Sequence, residues 1–166
     1  MANIFSGGGR ELDLSNGGTE AFIEVLILAV SDLASEAWDL RFAALLILQD
    51  QNVMGRGAVG FHLEEIDWGV GESERARSKD FVLSATALAA SGHRWSDLGY
   101  HPPRVHDYLD QFRIMVAHFT PPSPKEDGPH HHFPGPDEAV MASCTRHRVL
   151  SALPYWEGCF LCNQTR

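Results

Sequence analysis

From Thr19 onward, stretches in which large apolar residues recur every three or four positions alternate with short polar or glycine-rich breaks. Thr19 stands where an N-cap belongs and Glu20 suits a first turn. Phe22, Leu26, Val30 and Leu33 follow at helical spacing, predicting a first helix from Thr19. Its apolar stretch, Ala21 to Val30, is interrupted by Glu24 and is about half the ~20 residues needed to cross a bilayer. It therefore reads as a core helix, with no membrane role. Ser35 is placed to cap a second helix with Trp38, Phe42, Leu45 and Leu46 on one side. The run Phe42 to Leu48 is also short enough to be a strand, but its length with the preceding cap favours helix. A third helix is expected from Glu72 to a stop at Gly92, its first half solvated and its second half carrying Phe81, Val82, Leu83, Ala85, Leu88 and Ala89. Pro102 and Pro103 fit the entry of a fourth, along which Val105, Leu109, Phe112, Val116 and Phe119 repeat.

The remaining stretches set the expected boundaries. Residues 1–18 hold five glycines and few large apolar groups, so a flexible or loosely docked tail is expected there. Residues 55–68 read as extended or turn-rich. Residues 120–138 contain six prolines, which exclude continuous helix or central strand and predict a linker or long surface loop. The expected fold is mainly α: a compact helical body of about four helices over 19–119, and a small C-terminal element over 139–166 that packs back onto it.

At 166 residues with 44% apolar content, the chain is long enough for one sizeable core. Its formal charge of −9 disfavours phosphate backbones and anionic lipid, and favours basic partners. That charge sits on the body: residues 1–119 carry 9 basic and 17 acidic side chains, against 4 and 5 in residues 120–166. Three cysteines cannot complete a disulfide set, and no basic-apolar-small leader follows Met1, so a reducing, cytoplasmic setting is expected.

The most specific chemical pattern is Cys144-Thr-Arg-His147 followed by Cys159-Phe-Leu-Cys162, which takes in every cysteine of the chain. Each pair puts two ligands on one tight turn, and four such donors suit tetrahedral Zn2+. The pattern resembles zinc-ribbon and zinc-knuckle modules through Cys144, His147, Cys159 and Cys162, with Gly158 before the second pair. It departs from the common ribbon in having His147 in place of a cysteine and no glycine after Cys162. The resemblance covers residues 144–162 and implies a structural zinc whose binding energy folds the C-terminal element. Buried, metal-free thiols and a redox C-x-x-C are the competing readings.

Other constellations are less specific. Glu64, Glu65 and Asp67 interleave with Phe61, Ile66 and Trp68, as in an acidic-aromatic contact patch for a basic protein, or as aromatics anchoring the segment to the core. Gly55-Arg-Gly57-Ala-Val-Gly60 matches the dinucleotide fingerprint without its strand and second βα unit, and reads as an inter-helix turn. His130, His131 and His132 are adjacent on the proline-rich stretch, a spacing that cannot easily converge on one ion. The favoured function is a non-enzymatic acidic protein of immunity, antitoxin or adaptor type that captures a basic partner. The alternative is a metal-dependent hydrolase drawing on His62, Glu64, Glu65, His106, Asp107 and His118. A nucleic-acid reader using Arg146, Arg148 and Arg166 is the least favoured class.

Overall fold

The computed structural model describes residues 3–49, 59–124, 133–155 and 158–164. The chain opens on an antiparallel hairpin of β1 (Asn3–Gly7) and β2 (Arg10–Leu14), registered Phe5 to Leu12. Gly8 and Gly9, at φ +57° and +78°, make the two-residue turn, a conformation that side chains with a Cβ seldom adopt. The expected tail at residues 1–18 is thus corrected over the described residues. Phe5, Leu12 and Leu14 alternate onto one face and are buried, which offsets the ordering entropy of the glycines.

Helix α1 (Asn16–Leu33) follows at once, capped by Ser15, whose hydroxyl accepts from the Gly18 N–H. It starts three residues earlier than Thr19; Thr19 is instead buried, its hydroxyl accepting from Asn3. Residues Ala21 to Val30 are buried on every side, making α1 the central helix. Helix α2 (Ala37–Ile47) begins after Glu36 rather than Ser35, because Asp39 Oδ2 accepts from the N–H groups of both Ser35 and Glu36. The fully buried Asp39 is also held by both arms of the Arg77 guanidinium. Burial opposes its ionisation, but Arg77 and the two backbone donors outweigh that and keep its pKa below the ordinary value.

Helices α3 (Glu72–Ala90) and α4 (Val105–His118) complete the body, packing on each other and on α1. No helix among the described residues is long and apolar enough to cross a membrane. The β1–β2 hairpin closes one end of the core: Phe5 meets Phe22 and Phe61 edge-on at 5.3 and 4.9 Å, and Phe112 meets both of those rings. Gly60 passes so close to β1 that a Cβ there would lie 1.9 Å from the Ile4 carbonyl oxygen, and its φ of +133° belongs to glycine.

The C-terminal element packs back on this body. Phe133 is buried against Trp38, under the Arg41 guanidinium, and Arg41 Nε donates to the Pro134 carbonyl. A small hairpin of β3 (Met141–Ser143) and β4 (Leu150–Ala152) lies on α2, and the Leu150 N–H donates to Ser31 Oγ of α1 at 3.0 Å. The chain ends on the short helix α5 (Phe160–Gln164), with Leu161 buried.

Candidate metal centre

Two tight turns build the site. In the first, between β3 and β4, the Arg148 N–H donates to the Cys144 carbonyl at 2.7 Å and the Cys144 N–H to the Val149 carbonyl at 3.0 Å. Arg148 takes a left-handed φ of +55°, which lets the chain reverse, and the His147 N–H points at Cys144 Sγ at 3.4 Å. In the second turn, Gly158 at φ +69° admits the chain to α5, and the Asn163 N–H donates to the Cys159 carbonyl. Cys159 and Cys162 then stand one helical turn apart.

The structure brings all four expected ligands together. The Sγ atoms of Cys144, Cys159 and Cys162 and one ring nitrogen of His147 lie within 4.8 Å of one another, close enough to hold a single metal ion. His147 Nδ1 is 3.7, 3.5 and 3.3 Å from Cys144, Cys159 and Cys162 Sγ, and the Cys144 and Cys162 sulfurs are 3.7 Å apart. Among the described residues this is the one group of three or more His, Cys, Asp or Glu side chains so arranged.

The thiols differ in environment. Cys159 is buried, Cys144 half-buried and Cys162 exposed. The His147 N–H aimed at Cys144 favours its thiolate and lowers its pKa to about 6, whereas burial pushes the Cys159 thiol up to about 11.

The surrounding contacts fall on residues that the sequence pattern does not single out. Arg94, itself left-handed at φ +60°, donates from Nη2 to the His147 carbonyl and also contacts Asp32 and Asp97. Gln164 donates to Glu24 of α1 at 3.0 Å, and the Tyr100 hydroxyl donates to the other oxygen of that carboxylate. Burial, then the Glu24 bond, raises the Tyr100 pKa above its ordinary value and keeps the phenol a donor. A cleft of roughly 600 Å3 adjoins the centre, with Glu20, Asp97, Tyr100, His147 and Gln164 on its walls.

The acidic-aromatic patch is corrected. Phe61 and Trp68 are buried in the core, Trp68 Nε1 donating to the Leu63 carbonyl and its ring stacking on Trp38. Of its carboxylates, Asp67 pairs with Arg41 at 3.4 Å, Glu65 is half-buried, and the exposed Glu64 accepts from the Gly8 N–H at 2.8 Å. The aromatic residues anchor the segment because the body has a hydrophobic recess for them.

The His/carboxylate residues weighed for hydrolysis do not converge. His62 bonds Ser6 at the exposed edge of β1, while the His106 ring lies tilted against Trp95 at the start of α4. His118 ends α4, about 18 Å along the helix axis from His106. Of the fingerprint glycines, Gly55 and Gly57 lie outside the described residues, as do His130, His131, His132 and Arg166. No protein family, curated protein or solved structure matches this chain.

Proposed function

We propose that the chain is a non-catalytic acidic binding protein, of the inhibitory or adaptor kind, whose C-terminal element is folded by a structural zinc ion. The convergence of three sulfurs and one imidazole nitrogen carries this reading. Zn–S bonds of about 2.3 Å and a Zn–N bond of about 2.0 Å require donor separations of about 3.5–3.8 Å in a tetrahedron. The separations of 3.3–3.7 Å around His147 and between Cys144 and Cys162 match that size. Thiolate-rich sets select zinc among the divalent ions lacking redox chemistry, and four protein ligands fill its shell, leaving no position for a substrate.

The binding half of the proposal rests on charge. Residues 1–119 carry a net −8, and Glu20, Glu36, Glu72, Glu74, Asp80 and Asp110 are exposed on α1, α3 and α4 or beside α2. A basic protein is the partner such a surface steers toward itself.

The test has two arms on tag-free full-length protein. Elemental mass spectrometry is expected to find about one zinc per chain, lost in Cys159→Ser. Capture from the native host is expected to retain a stoichiometric basic protein at low salt and release it at ~1 M salt, where the Debye length is about 3 Å. Absence of zinc defeats the first half, and absence of a salt-sensitive partner defeats the second.

A further inference from the structure

The three thiols of the centre are not equivalent, and the difference has a direction. Cys159 is 8% exposed and backed by the core, whereas Cys162 is exposed on α5, with the half-buried Cys144 sulfur 3.7 Å away. A disulfide requires sulfurs about 2.05 Å apart, so this pair must close by about 1.7 Å. The two residues stand on different turns, one after β3 and one in α5, so their disulfide would keep α5 tied to the β3–β4 hairpin while removing half of the donor set.

We infer that the centre is also an oxidation site, at which hydrogen peroxide converts Cys144 and Cys162 to a disulfide and zinc is released. This inference rests on the zinc reading above. The Cys162 thiolate attacks one peroxide oxygen; an S–O bond forms, the O–O bond breaks, and the departing hydroxide takes a solvent proton to become water. The Cys144 thiolate then attacks the Cys162 sulfur, forming S–S and breaking S–O, and the second hydroxide leaves as water in the same way. Two thiolates lose two electrons, one peroxide gains them, and two protons are consumed. Only Cys159 and His147 then remain as ligands, too few to retain zinc at a four-coordinate site.

The helical body survives this event by construction. Cys162 takes no part in the core, Cys144 only packs against its edge, and neither the Phe133 anchor nor the Ser31–Leu150 bond involves the oxidised sulfurs. The expected consequence is local loosening of the turn at His147 and of α5 against α1, reversible by thiol reductant and zinc.

The experiment treats zinc-loaded full-length protein with hydrogen peroxide and follows metal release with a chromophoric chelator, with non-reducing peptide mass spectrometry to map the bond. Expected are release of zinc, a mass about 2 Da below that of the reduced chain, and a Cys144–Cys162 linkage. Because Cys162→Ser loses a ligand outright, Cys162→His is the informative variant. It offers a fourth zinc donor that cannot form a disulfide, and zinc release by peroxide is expected to slow at least about tenfold. Zinc that stays bound in wild type while a free-thiol control is consumed overturns the inference, as does a disulfide mapped to Cys159. Either result leaves the zinc reading standing, whereas a chain that binds no zinc sinks both.

Discussion

The guanidinium of Arg94 donates to the carbonyl of His147, tying the turn after α3 to the metal loop 53 residues later. The Arg94 side chain is 11% exposed and its remaining donors meet Asp32 at 3.4 Å and Asp97 at 2.9 Å, so its position is held from the body side. Fixing the carbonyl of a ligand residue restricts where its imidazole can lie, as outer contacts commonly do in metal sites. Arg94→Ala is expected to weaken zinc binding about tenfold with unchanged helix content, read by chelator competition and far-ultraviolet circular dichroism. Arg94→Lys should not restore it, because an ammonium cannot span the acceptors on Asp32, Asp97, His147 and Arg148 that the guanidinium reaches. Unaltered affinity in both variants would reduce Arg94 to a surface contact.

The unlike thiols set the pH dependence of metal binding. Without metal, Cys144 ionises near pH 6, while Cys159 stays protonated up to about 11. Zinc must therefore displace the Cys159 proton throughout the neutral range, but displaces little from Cys144 at pH 7. Affinity is expected to rise with pH, by up to about tenfold per unit for the Cys159 proton alone, between roughly pH 6 and 11. Competition titrations at several pH values check the slope; a flat profile would mean that binding displaces no thiol proton, that of Cys159 included.

The four residues of the candidate metal centre were readable because a C-x2-H and a C-x2-C pair are local patterns that need only two turns brought together. The helices were readable too, since Phe22, Leu26 and Val30, or Val105, Leu109 and Phe112, mark one face by spacing alone. Exposure was not. Phe61 and Trp68 beside carboxylates fit a contact patch as well as an anchor, and only the recess formed by Phe5, Trp38, Phe112 and Phe119 decides between them. The opening hairpin had a signal that the glycine count obscured: Gly8-Gly9 is a favoured two-residue turn, and Phe5, Leu12 and Leu14 have the period of a strand. Arg94 left no signal, because its role depends on a left-handed backbone and a partner far along the chain.

Asp39 links the start of α2 to α3, and its charge state contributes to acid stability. Its pKa lies below the ordinary 3.8 in the folded chain, so its contribution is complete above that value and is lost as pH falls through the folded pKa. Asp39→Asn removes the charge from the Arg77 pair and is expected to cost about 2–3 kcal/mol at pH 7. The gap between wild type and variant should shrink as pH drops below about 3.8, since the wild-type carboxyl then becomes neutral as well. Denaturant titrations at neutral and acid pH measure it, and a gap independent of pH would assign the loss to geometry rather than charge.

The hairpin at the start of the chain makes the sharpest test of the corrected boundary at residues 1–18. Phe5 is fully buried between Phe22 and Phe61, and Asn3 donates to Thr19 at 2.9 Å, so β1 is part of the core and its removal would uncover the central helix. Phe5→Ala is expected to destabilise the protein by about 4 kcal/mol, the loss typical of a large aromatic side chain deleted from a packed interior. Gly60→Ala acts on the same junction from the other side. Its methyl would meet the Ile4 carbonyl at 1.9 Å while φ stays at +133°, so β1 must shift, and the hairpin's amide protons should lose protection from exchange before those of α1. Equilibrium unfolding and hydrogen exchange read the two effects separately. A Phe5→Ala protein as stable as wild type would return residues 3–14 to the status of an appended tail.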